Sequence, residues 1–72
     1  MNYFVCTVTT TGKVYTVNFI EHENAERHFF SRIVCEDCKS CVMINAKDCS
    51  TVNFWEDGEM VIYNNERLYT KG

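Results

Sequence analysis

Three thiols stand within the seven-residue run Cys35-Glu36-Asp37-Cys38-Lys39-Ser40-Cys41. Cys-x-x-Cys spacing in a short chain is where a metal site or a redox centre would show itself. A structural zinc ion needs four tetrahedral ligands, mostly thiolates and imidazoles. Cys35, Cys38 and Cys41 would supply three, and Cys49 would complete the set. The geometry objects. If residues 41–46 form a strand, Cys41 starts it and Cys49 lies in the turn beyond it. At about 3.3 Å per residue the two are separated by roughly 17 Å, whereas zinc–sulfur bonds are about 2.3 Å. His28 is the alternative fourth ligand. It precedes Cys35 by two helical turns, roughly 10 Å of rise, so the intervening loop would have to fold back.

An iron–sulfur cluster is less well matched. The first three cysteine spacings agree with the bacterial ferredoxin pattern, but its nearby fourth Cys and following Pro are missing. Thioredoxin-like chemistry wants the Cys-x-x-Cys at the start of a helix, where the dipole lowers the thiol pKa. Here the cysteines follow a predicted helix, and Glu36 and Asp37 would push the pKa up. The simplest expectation is that free cysteines fill small apolar gaps, with no cofactor required and zinc as the alternative.

Other chemistry-bearing residues are sparse. His22 and His28 have no nucleophile partner in the sequence, and His28 flanks an apolar helix stripe. Glu56, Asp57 and Glu59 surround a tight turn. A carboxylate pair can do acid–base work, but a solvated hairpin tip is the commoner role for such a cluster. No P-loop, dinucleotide fingerprint or nucleophile elbow occurs. The expectation is a protein that is not an enzyme.

The elements that must position these residues are an α+β set in the order β-β-α-β-β-β. Residues 3–9 and 14–20 alternate as two strands rich in β-branched and aromatic residues, joined by a turn at Thr10-Thr11-Gly12-Lys13. Ala25, Phe29 and Ile33 recur at helical spacing, predicting a helix over about 23–35. Asn24 or a residue just before it is the expected cap, and Glu23 and Glu26 suit the positive end of the dipole. Strands follow at about 41–46, 52–55 and 59–63. Asp57-Gly58 is a hairpin signal, and Arg67–Thr70 is a further edge segment.

The expected architecture is a single domain over residues 1–72, an antiparallel sheet with the helix on one face. The expected inner layer is Phe4, Cys6, Val8, Val17, Phe19, Phe29, Ile33, Val42, Ile44, Phe54 and Ile62. The outer face would then carry Tyr3, Val5, Val14, Ile20, Met43, Trp55, Val61 and Tyr63. Exposed contiguous apolar surface usually marks an interaction site, and Trp, Tyr and Met are enriched at interface cores.

Size and charge narrow the classes further. A chain of 72 residues buries only around 60% of its unfolded surface, though five Phe, four Tyr and one Trp supply large side chains for a core. The net charge is −3, and the seven bases are scattered, so binding to nucleic-acid backbones is disfavoured. Base stacking on the sheet is disfavoured too, because the basic-Gly-aromatic pattern of RNA-recognition strands is absent. The chain is also not acidic enough to imitate DNA. No leader pattern follows Met1, no apolar run reaches membrane-span length, and five cysteines do not pair off. The expected setting is a reducing cytoplasm, away from membranes.

These readings converge on a small protein-binding module or inhibitor. Tyr3, Met43, Trp55 and Tyr63 are its expected anchors. Glu56, Asp57 and Glu59 would steer it toward basic patches. Chains of this kind are typical of phage or mobile-element proteins that block host defence, by compositional analogy only. A structural homodimer is the other expectation.

Overall fold

The computed structural model describes residues 2–68. Its elements are β1 (Tyr3–Thr9), β2 (Val14–Phe19), α1 (His22–Ile33), β3 (Cys38–Asn45), β4 (Ser50–Glu56), β5 (Glu59–Tyr63) and β6 (Glu66–Arg67). All strands belong to one antiparallel sheet in the order β2-β1-β3-β4-β5-β6. The expected α+β class, with one helix against one sheet, is the fold observed. The last expected segment begins one residue earlier, at Glu66, and residues 69 and 70 lie outside the described residues.

The first hairpin fixes which side chains share a face. Gly12 takes φ +89° and donates its N–H to Thr9 O at 3.0 Å, while the Thr9 N–H donates to Lys13 O at 2.8 Å. Thr9 and Lys13 therefore close the turn, and odd residues pair with odd: Tyr3 with Phe19, Val5 with Val17, Thr7 with Tyr15. Turn length sets register, so Val17 and Phe19 lie on the face of Val5.

The same count corrects the expected inner layer. The helix covers the face of Val5, Cys41 and Met43, and these form one buried cluster with Ala25, Phe29, Cys38 and Val52. Phe4, Cys6, Val8, Val42, Ile44 and Phe54, expected inside, are only half-buried and stand outside that cluster. A register slip between Met43 and Ile44 leaves one extra residue in β4, and adjacent Val52 and Asn53 are both buried there.

The helix stripe is as expected: Ala25 and Phe29 are fully buried and Ile33 packs against the cluster. Its bounds differ slightly. Glu21 is the N-cap residue, without a side-chain cap bond, and Asn24, the expected cap, donates from Nδ2 to Glu21 Oε1 at 3.3 Å. The helix ends at Ile33, and the N–H of the capping Val34 bonds back into the last turn, so the cysteine run lies beyond the helix.

Candidate functional site

β3 begins at Cys38, three residues earlier than the sequence suggests, and this decides the fate of the cysteines. Cys35 lies in the turn after α1, where its carbonyl accepts the Cys38 N–H at 3.1 Å and its thiol reaches Ser31 O at 3.4 Å. Thr9 pairs with Cys38 and Val8 with Ser40, leaving one extra residue in β3. That bulge turns both Cys38 and Cys41 inward despite their odd spacing, and both are buried.

All five cysteines are free thiols. Burial pushes the Cys41 thiol up to about 11, against the pull of a 3.4 Å hydrogen bond with Thr7 Oγ1. Burial is also the leading cause that raises Cys38, with Arg32 opposing it and Cys35 and Asp37 adding to it. Thiols held protonated in this way are poor nucleophiles.

The four-cysteine zinc set is not assembled. Cys49 is exposed in the β3–β4 turn, at φ +61°, at the opposite end of β3 from Cys38. His28 faces elsewhere, with its ring 5.3 Å from the Phe19 ring. Among the described residues, no group of three or more His, Cys, Asp or Glu side chains is placed to hold a metal ion.

The expected anchors are mostly on the covered side. Met43 is fully buried, and Tyr3 and Trp55 pack against the cluster beneath the helix. Tyr3 meets the His22 ring edge-on at 5.3 Å. Tyr63 alone is substantially exposed, with its ring 6.1 Å from that of Phe30. Glu56, Asp57 and Glu59 are exposed around the β4–β5 turn, as expected of a solvated tip.

The opposite face of the sheet is apolar as well. Phe4 pairs with Ile44, Cys6 with Val42, Val42 with Phe54, and Phe54 with Ile62. This apolar band crosses β1, β3, β4 and β5, among the described residues no helix lies over it, and Glu56 follows Phe54 on the same face by strand alternation. The three-residue turn between Thr9 and Lys13 was the sequence signal that could have located it.

A second feature lies between α1 and β2, which the helix scarcely covers. An open groove of about 340 Å³ is lined by Thr7, Tyr15, Val17, His28, Arg32 and Asp37. A neighbouring hollow shares His28 and adds Phe19, Asn24, Arg27 and Ser31. Burial, then the charge of Arg32, lowers the His28 pKa. The imidazole is therefore neutral near pH 7, and no described thiol or hydroxyl is arranged with it as a nucleophile–base pair.

No helix among the described residues is long and apolar enough to cross a membrane. Comparison of the chain with known protein families, with curated proteins and with solved structures finds no match.

Proposed function

We propose that this chain is a non-enzymatic protein-binding module that acts by occupying a partner's surface, as a small inhibitor does. The observation that carries the reading is the apolar band on the uncovered sheet face, centred on Val42, Ile44 and Phe54. Uncovered apolar surface of this kind favours association. Acidic Glu56, Asp57 and Glu59 border it, which suits a partner whose apolar patch has a basic rim. A phage or mobile-element inhibitor working in the cytoplasm remains the nearest analogy, by composition alone.

The test is capture from a cell extract under reducing conditions with the native chain and with Ile44→Lys and Phe54→Lys. Proteins retained by the native chain should be lost by both variants, whose far-UV circular dichroism stays native. Truncating a hot-spot contact costs about 2 kcal/mol or more, roughly thirtyfold in Kd. Retention of the same proteins by all three chains would end the proposal.

A further inference from the structure

Among the described residues, β2 is an edge strand with none of the usual protections. Natural sheets guard their edges with charges, proline, bulges or very short strands. The far edge obeys this rule, because β6 is only Glu66–Arg67. β2 is Val-Tyr-Thr-Val-Asn-Phe, without a charge or a proline, and its register with β1 runs unbroken from Val14 to Phe19. Val14, Tyr15 and Val17 are exposed, and Ile20 just beyond is 71% exposed.

The closing pair Thr9–Lys13 also fixes the direction of each backbone group in β2. Antiparallel pairs alternate between bonded and non-bonded, so Tyr15, Val17 and Phe19 bond to β1. The N–H and C=O groups of Val14, Thr16 and Asn18 point to the open edge. The 2.7 Å bond from Ala46 N–H to Asn2 O supports this parity, since it places the even residues of β1 against β3.

We propose that the β2 edge pairs antiparallel with β2 of a second copy, about a two-fold axis at Val17. Only registers that oppose even residues to even residues can bond. Centring on Val17 sets Thr16 against Asn18, Tyr15 against Phe19, Val14 against Ile20, and Lys13 against Glu21 of the second copy, each twice. Centring on Thr16 would put Lys13 opposite Phe19, and centring on Asn18 would put Tyr15 opposite Glu21. The central register alone matches polar with polar, apolar with apolar and cation with anion. Isologous pairing closes at two copies. It joins two six-stranded sheets with both helices on one side and both open faces on the other. The pairing does not depend on what those faces bind.

The experiment is sedimentation equilibrium under reducing conditions, which excludes a disulfide through Cys49. The native chain should weigh twice its 8.4 kDa. Thr16→Pro removes only an edge-facing N–H, which edge strands tolerate, and should halve the mass with circular dichroism unchanged. Lys13→Glu and Glu21→Lys should each weaken the dimer severalfold, and combining them should restore it. Slow hydrogen exchange at the Thr16 and Asn18 amides of the native protein is the check that needs no variant. A monomeric native chain, a dimer that survives Thr16→Pro intact, growth beyond two copies, or fast exchange at those amides would overturn the pairing.

Discussion

Cys41 shows how far a residue's chemistry depends on where the chain bends. Its thiol is 1% exposed and holds its proton up to about pH 11, against an ordinary 9.0. The folded state therefore binds that proton more tightly than the unfolded state, and stability depends on it. Stability from this group should be constant below about pH 9 and fall as pH rises toward about 11. Denaturant melts across that window would check it, and Cys41→Val should flatten the slope. Alkylation followed by mass spectrometry should label Cys49 first and Cys41 last. The spacing of Cys35, Cys38 and Cys41 was legible in the sequence, but its meaning was not. The bulge in β3 that buries two of them comes from pairing with β1, and no local residue pattern announces it.

At the scale of elements, the turns are where sequence spoke most clearly. Asp57 and Gly58 both take positive φ, the conformation that a tight hairpin demands. Asn64 and Asn65 do the same between β5 and β6. That second turn is held from below. Asn53, fully buried in β4, accepts the Asn64 N–H at 2.9 Å, and the Asn65 N–H donates to Val52 O at 2.8 Å. Asn53→Ala should leave the Asn64 N–H without its partner and cost about 1–3 kcal/mol, read as a lower urea midpoint. Loss of protection at Asn64 and Leu68 in hydrogen exchange would locate the damage. A midpoint equal to that of the native chain would show that the side chain contributes nothing. The sequence could propose the turn but not its support, because residues 53 and 64 meet only through the sheet.

Over the whole molecule, the hardest thing to read was which face of the sheet the helix covers. Both faces are apolar: Phe4, Cys6 and Val8 alternate with Val5, and Val42 and Ile44 flank Met43. The pattern of β1 and β3 alone cannot choose between such faces; the first turn helps, because it ties Tyr15, Val17 and Phe19 of β2, which alternate with Thr16 and Asn18, to the face of Val5. Neighbours in one strand should therefore respond differently. Met43→Ala, in the buried cluster, should cost about 2–5 kcal/mol, and Ile44→Ala, on the open face, clearly less. Equal losses of melting temperature would contradict the assignment.

The position of β1 has a consequence for synthesis. It lies inside the sheet, between β2 and β3, yet it precedes both in the chain. Its hairpin with β2 can form from local contacts. Its pairing with β3, which runs from Tyr3 opposite Asn45, must wait until the helix and the next strand have left the ribosome. During that interval both sides of the hairpin are unpaired edges. The chain is then most open to wrong neighbours, and the delay between release of β2 and release of β3 from the ribosome sets how long that exposure lasts.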